Sequence, residues 1–139
     1  MLFRSITGHG VTKQPQKNII YLCYKLTDLA TVDYQWCYTN GNAAKSITKY
    51  FTDLGQIEIN IDWRSINTTD FRDNNSDGDE DRVRKKHSEF LVRNHVPPNF
   101  IRAIVVLNQE IKTQVSTILT NLNKDIKVII NPNNKFYFQ

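Results

Sequence analysis

The sequence has few of the residues that build metal centres, disulfide frameworks and membrane spans. It contains two cysteines, Cys23 and Cys37, which have neither a metal-ligand spacing nor the CxxC spacing of a redox pair. Its three histidines also lack metal-ligand spacing. No apolar run approaches the length of a membrane span, and no signal peptide opens the chain. We therefore expect free, buried thiols in a reducing cytoplasm, with no metal site and no membrane anchor.

Two apparent motifs are excluded by the parts that they lack. Residues 73–78 match the opening of an EF-hand loop, but the closing position, which needs a bidentate glutamate, is Arg84. Ser88 lies beside His87, yet the glycines of a nucleophile elbow do not surround it. We therefore expect a flexible acidic loop at the first position and no serine-hydrolase site at the second.

Short strands and helices alternate along the chain. Runs of β-branched and aromatic residues predict strands at residues 19–24, 35–39, 90–92, 101–107 and 127–130. Apolar residues at helical spacing predict one helix over residues 109–122, capped by Asn108, and another from Ala43 to a stop at Gly55. With no repeat and no linker, we predict a single α+β domain over residues 1–139. Its mixed or antiparallel sheet would have short strands and two main helices.

The charge pattern draws attention to Glu89. The net charge of +4 suits a polyanionic partner without requiring one. An acidic stretch, residues 67–80, precedes a basic cluster formed by Arg82, Arg84, Lys85 and Lys86. Glu89 then enters an apolar strand, where it faces either solvent, as an ordinary surface acid, or a cleft, where a desolvated carboxylate needs a partner or a task. The sequence leaves both orientations open, although the basic cluster would attract an anionic substrate to the same place.

An ordered set of segments resembles a known family. These segments are the strand at 19–22, CYTNGNA at 37–43, IDW at 61–63, KHSEFLV at 86–92 and VP at 96–97. Together they resemble the later part of the DarT family, toxins that ADP-ribosylate bases of single-stranded DNA with NAD as co-substrate. The resemblance implies an ADP-ribosyltransferase-like fold, single-stranded DNA as a partner, a cognate antitoxin and a cytoplasmic location.

The resemblance also implies roles for individual residues. Glu89 matches the family's catalytic glutamate, which would stabilise positive charge on the ribose as the nicotinamide bond breaks. Residues 67–84 would correspond to the substrate-recognition loop. The residues expected to contact nucleic acid are Asn42, Arg82, Arg84, Lys85, Lys86 and His87. Tyr38 and Trp63 could stack on bases, although for both we expect a core position.

This chain departs from the family pattern in three places. Asn42 stands where the family commonly has His or another polar residue, and His87 stands where it often has Gln. Both replacements put the choice of base in doubt. The opening residues 1–3 resemble an internal segment of the family, so the upstream part that grips NAD would be absent, and no cofactor-binding residue is predicted. Two alternatives therefore remain open: a non-catalytic nucleic-acid-binding module, and an inactive remnant of such a toxin.

Overall fold

The structure, a computed structural model, describes residues 12–31, 35–73, 78–134 and 136–137. The strands are β1 Tyr21–Tyr24, β2 Trp36–Thr39, β3 Tyr50–Phe51, β4 Phe90–Val92, β5 Ile101–Val106 and β6 Lys127–Ile130. The α-helices are α1 Leu26–Ala30, α2 Ile57–Asn60, α3 Trp63–Asn67, α4 Arg82–Lys85 and α5 Gln109–Asn121. Short 3-10 turns are Gln16–Asn18, Leu54–Gln56, Pro98–Phe100 and Pro132–Asn134. Within these residues, no helix has the length and apolarity that crossing a bilayer requires.

The chain divides into two compact units, and the first contains residues 1–28 and 97–139. Its mixed sheet has the order β1-β5-β6, in which β1 runs antiparallel and β6 parallel to β5. Helix α5 connects the parallel pair, because parallel neighbours need a crossover. The Asn108 side chain caps α5 by accepting a hydrogen bond from Ile111 N at 3.1 Å. The core consists of Ile104, Val106 and Ile111, with Val115 and Leu119 packed against it.

Two tyrosines of the same unit have hydrogen-bonded hydroxyls: Tyr137 is buried and Tyr21 is half-buried. The Tyr137 hydroxyl donates to Ile19 O at 2.7 Å and also lies 3.1 Å from Val105 O, and the Tyr21 hydroxyl donates to Phe136 O at 2.6 Å. Burial raises the pKa of both phenols to about 12. These contacts join residues 136–137 to Ile19, to β1 and to β5.

The second unit, residues 29–96, contains an antiparallel sheet with the order β3-β2-β4. Tyr38 of β2 lies opposite Phe51 on one side and Phe90 on the other, and it is 2% exposed. Its ring stacks on Phe51 with 5.2 Å between centroids, and its hydroxyl donates to Asp53 O at 2.9 Å. Tyr38 is therefore a core residue, as expected, and is not available to stack on a base.

The helix predicted from Ala43 is wrong, although the α+β class with short strands is confirmed. The Asn42 side chain accepts from Ala44 N at 2.9 Å, and the Asn42 carbonyl accepts from the Thr48 hydroxyl at 2.7 Å. These bonds close turns, because asparagine offers the backbone an alternative to the helix. The chain then enters β3, and Gly55 lies inside a 3-10 turn. In the described residues, α5 is the one α-helix with more than five residues.

Candidate active site

The backbone of Glu89 is fixed directly before β4. Its N–H donates to Thr39 Oγ1 at 3.0 Å, and its carbonyl accepts from Thr39 N at 2.9 Å. Thr39 is fully buried at the end of β2, and its hydroxyl also donates to Gly41 O at 2.7 Å. Thr39 therefore connects the segment that carries Glu89 to the turn that follows β2.

The carboxylate of Glu89 points to that turn. Its Oε2 accepts a hydrogen bond from Ala43 N at 3.1 Å, while Oε1 has no hydrogen-bond partner among the described residues. The side chain is half-buried. One oxygen is thus oriented by the backbone, and no described residue competes for the other with an incoming hydroxyl donor.

Arg84 holds the turn from the other side. Its Nη1 donates to Asn40 O at 3.1 Å, and its own carbonyl accepts from Asn42 N at 3.0 Å. Asp81 accepts from Arg84 Nε at 2.8 and 2.9 Å. Gly41 is required here, since a Cβ at this position would lie 2.2 Å from Arg84 Nη1. The guanidinium predicted to bind DNA therefore has partners within the protein and supports the turn that orients Glu89.

Arg82 and Lys85 are also paired internally. The Arg82 side chain is 5% exposed, and its Nη1 and Nε lie 3.2 and 3.7 Å from carboxylate oxygens of Asp70 and Asp79. Lys85 Nζ lies 3.0 Å from both Asp62 and Asp79. These aspartates offset much of the positive charge that the sequence shows as a basic cluster. Direct contact of either residue with nucleic acid stays a prediction.

Asp79 is held by a hydroxyl group and by an ammonium group. It accepts a hydrogen bond from the Ser65 hydroxyl at 2.5 Å and another from Lys85 at 3.0 Å. The Ser65 bond, with help from Lys85, lowers the pKa of Asp79 to about 2 against the opposing effect of burial. The backbone N–H of Ser65 donates to Oδ1 of Asp62, the N-cap of α3, at 3.0 Å, and the Ser65 hydroxyl oxygen lies 3.0 Å from Asp62 Oδ2. The network joins α3 to α4, which precedes Glu89.

Lys86 caps the end of α3. Its ammonium donates to the carbonyls of Ser65 and Ile66 at 3.2 and 3.1 Å and to that of Thr68. It also lies 4.3 Å from the centroid of the Phe71 ring. Burial lowers the pKa of Lys86. This ammonium already has three carbonyl acceptors within the protein. Its contact with a phosphate, predicted from the sequence, stays a prediction.

His87 and Asn42 are the uncharged residues predicted to contact nucleic acid. His87 Nδ1 lies 2.5 Å from Val83 O, so this nitrogen carries the hydrogen and Nε2 is an acceptor in the neutral ring. The Asn42 side chain is engaged with Ala44 N, as described above. Their contacts with a base stay predictions. The core position predicted for Trp63 is wrong, because its side chain is exposed, at 36%, at the start of the short helix α3.

Some functional neighbours were missed by the sequence interpretation. Asp79 and Asp81 lie three residues before their arginine partners, a spacing that α4 would have suggested. Asp62 and Asp70 give no comparable signal, because their pairing depends on the tertiary fold.

Both cysteines are free and half-buried. Among the described residues no group of side chains could hold a metal ion, whereas His9 and residues 1–3 and 74–77 lie outside them.

Comparison with known proteins identifies the family. The family model described as "ssDNA thymidine ADP-ribosyltransferase, DarT" matches residues 1–138. This chain belongs to the DarT family. It is 28% identical to the DNA ADP-ribosyl transferase of Mycobacterium tuberculosis over 132 residues, covering 95% of this chain and 56% of the relative. Its identity to the Escherichia coli O127:H6 DNA ADP-ribosyl transferase is 26% over 129 residues, covering 92% and 58%. The chain thus spans little more than half the length of these curated relatives.

Solved DarT structures share the fold. Thermus sp. 2.9 DarT in complex with NAD+ matches with a TM-score of 0.82 at 22% identity, covering 98% of this chain and 66% of that one. The same DarT in complex with ADP-ribosylated ssDNA also gives 0.82 at 22% identity, covering 98% and 63%. Thermosipho africanus DarTG in complex with ADP-ribose gives 0.68 at 27% identity, covering 98% and 33%. The predicted ADP-ribosyltransferase-like fold is therefore confirmed.

Proposed function

We propose that this DarT family member transfers ADP-ribose from NAD to a base of single-stranded DNA, with Glu89 as the catalytic residue. The observation that carries the proposal is the carboxylate of Glu89, which has one oxygen fixed by Ala43 N at 3.1 Å and the other without a described partner. Family membership and the Thermus DarT structures with NAD+ and with ADP-ribosylated ssDNA support the two substrates.

The chemistry requires a group that acts mainly in the transition state. The bond between nicotinamide and ribose C1′ breaks, and nicotinamide leaves with the electron pair. A base nitrogen then forms the new bond to C1′, and its proton passes to solvent. Positive charge develops on the ribose between these events, as in glycoside hydrolysis. Glu89 Oε1 would accept a hydrogen bond from a ribose hydroxyl, and the carboxylate would stabilise this charge.

The described residues fit the ribose end of NAD. A hydroxyl donor needs an acceptor of fixed direction, and Ala43 N prevents the carboxylate from rotating away. The network of Arg84, Gly41 and Asn40 holds that N–H in place without occupying Oε1. Preorganised acceptors of this kind avoid reorganisation at the moment of reaction.

Substitution of Glu89 tests the proposal. Glu89→Ala should lower the rate of ADP-ribose transfer from labelled NAD to a thymidine-containing oligonucleotide by at least about 100-fold, the scale for losing a transition-state electrostatic contact. Glu58→Ala, which removes an exposed carboxylate of α2, is the matched control and should retain the parental rate. An oligonucleotide without thymidine tests the base that the family description names. Equal rates for Glu89→Ala and the parent would contradict the assignment.

We also propose that the protein acts as the toxin of a toxin–antitoxin pair in the cytoplasm, and that residues 1–139 belong to one partial DarT domain. The family resemblance supports both statements. Expression in bacteria should arrest growth, and Glu89→Ala should relieve the arrest. Arrest that persists in the Glu89→Ala variant would separate toxicity from the proposed chemistry.

A further inference from the structure

Tyr50 is open to solvent and shares a hydrogen-bond partner, Ala43, with the carboxylate of Glu89. Its side chain is 55% exposed, although its hydroxyl donates to Ala43 O at 2.6 Å. The N–H of the same Ala43 donates to Glu89 Oε2 at 3.1 Å. The hydroxyl and the carboxylate therefore contact a single residue, which places them within roughly 10 Å of each other by backbone dimensions. An aromatic ring is thus tethered next to the proposed reaction centre without being buried.

The segment before Tyr50 carries unpaired positive charge. Lys45 and Lys49 are exposed, and neither ammonium has a hydrogen bond or an ion pair among the described residues. Their backbones are fixed, because Lys45 N donates to Asn42 O at 3.0 Å and Lys49 N donates to Asn40 Oδ1 at 2.9 Å. By contrast, the basic cluster before Glu89 is paired internally. Lys45 and Lys49 are therefore the solvent-exposed cations of this turn.

The same segment also carries an exposed aliphatic side chain. Ile47 lies between the two lysines and is 67% exposed. Exposed aromatic and aliphatic groups among free lysines are the composition of a site that binds single-stranded nucleic acid, where bases stack on rings and ammonium groups contact phosphates.

We propose that Lys45, Ile47, Lys49 and Tyr50, the Tyr50 surface, bind the single-stranded DNA acceptor. The Tyr50 ring stacks on a base, and the lysines contact phosphates. This inference rests on the proposed function and names the DNA-binding part of its site. Single-stranded DNA fits better than the dinucleotide, because an open surface with exposed lysines suits a polymer of repeated phosphates, whereas cofactors are held in concave pockets.

Binding of a fluorescein-labelled, thymidine-containing oligonucleotide without NAD tests the ring. Tyr50→Ala should raise the dissociation constant by roughly 5- to 150-fold, the range expected for one stacked base. Tyr50→Phe keeps the ring and removes only the bond to Ala43 O, so it should bind within about twofold of the parent. Equal losses in the two variants would overturn the inference, because the hydroxyl rather than the ring would then matter.

Salt dependence tests the lysines. Lys45→Gln and Lys49→Gln should each reduce the slope of log binding constant against log salt by about 0.7, the value for one phosphate contact on a single strand. Lys124→Gln, which removes an exposed lysine of the other unit, should leave the slope unchanged. Unchanged slopes in both turn variants would overturn the assignment of phosphate contacts.

Measurement of NAD binding distinguishes the two ligands, single-stranded DNA and NAD, whose phosphates the lysines could contact. Tyr50→Ala should leave the dissociation constant for NAD within about twofold, by calorimetry. Weakened NAD binding with unchanged DNA binding would overturn the inference in favour of the dinucleotide. Because the DNA measurement needs no turnover, a parent that binds DNA through Tyr50 but transfers no ADP-ribose would refute the proposed function alone.

Discussion

Gly41→Ala tests whether Arg84 supports the turn next to Glu89. The new Cβ would lie 2.2 Å from Nη1, 2.9 Å from Cζ and 3.0 Å from Cγ of Arg84. The two shortest contacts are with the guanidinium, which has to move away, and Cγ has to shift by a few tenths of an ångström as well. The side chain must therefore leave its place, together with its bonds to Asn40 O and Asp81.

The expected cost follows from two contributions. Overpacking of a closely packed site costs about 1–3 kcal/mol. Loss of the charge-assisted bonds adds about 1 kcal/mol, a low figure because Asp81 is 37% exposed. We therefore expect the free energy of unfolding to fall by roughly 2–4 kcal/mol. Transfer activity should fall as well, since Ala43 N would no longer be fixed against Glu89.

Urea unfolding, followed by tryptophan fluorescence, measures the change. Gly55→Ala is the matched control, because a Cβ there meets only the Asp53 side chain, at 3.1 Å from Oδ1, and should cost less than about 1 kcal/mol. Adding Gly41→Ala to Arg84→Ala should cause little further loss, since the clashing side chain is gone. A single variant within about 0.5 kcal/mol of the parent, or fully additive effects in the double variant, would refute the reasoning.

Two further substitutions test other parts of the fold. The pKa of Asp79, about 2 when folded, lies below the unfolded value of about 3.9, so its contribution to stability is complete above that value and is lost as the pH falls towards 2. Asp79→Asn should therefore destabilise the protein at pH 6 and much less at pH 2, as urea titrations at the two pH values would show; an equal effect at both would contradict this. Asn108→Ala removes the cap of α5 and should cost about 1 kcal/mol by the same measurement, whereas an unchanged midpoint would argue against the cap.

The sequence predicted the elements whose signals are local. The strands at residues 90–92 and 127–130 agree with β4 and β6, and residues 109–122 contain α5 with Asn108 as its cap. Each is set by propensity, apolar spacing and a capping side chain within a few residues. The family resemblance, which rested on the order of several such segments, is confirmed by the family model.

The prediction failed where side chains compete with the backbone. Apolar spacing after Ala43 suggested a helix, but the carbonyl and side chain of Asn42 took the donors of Thr48 and Ala44 instead. The environment of Glu89 was equally unreadable, because its partner is the N–H of a residue 46 positions away. The same helical spacing would put Tyr50 on an apolar face, so the sequence gives no sign that its ring is exposed.

The internal pairing of the basic residues has a consequence for how the family can diversify. Asp70 is bound to Arg82, and Thr68 O is bound to Lys86. The two ends of the stretch from residue 70 to residue 82 are therefore held together by the fold. Doubling the length of such a closed stretch costs only about 0.6 kcal/mol of chain entropy. Insertions and deletions in this stretch should therefore be tolerated while Glu89 stays in register with β2.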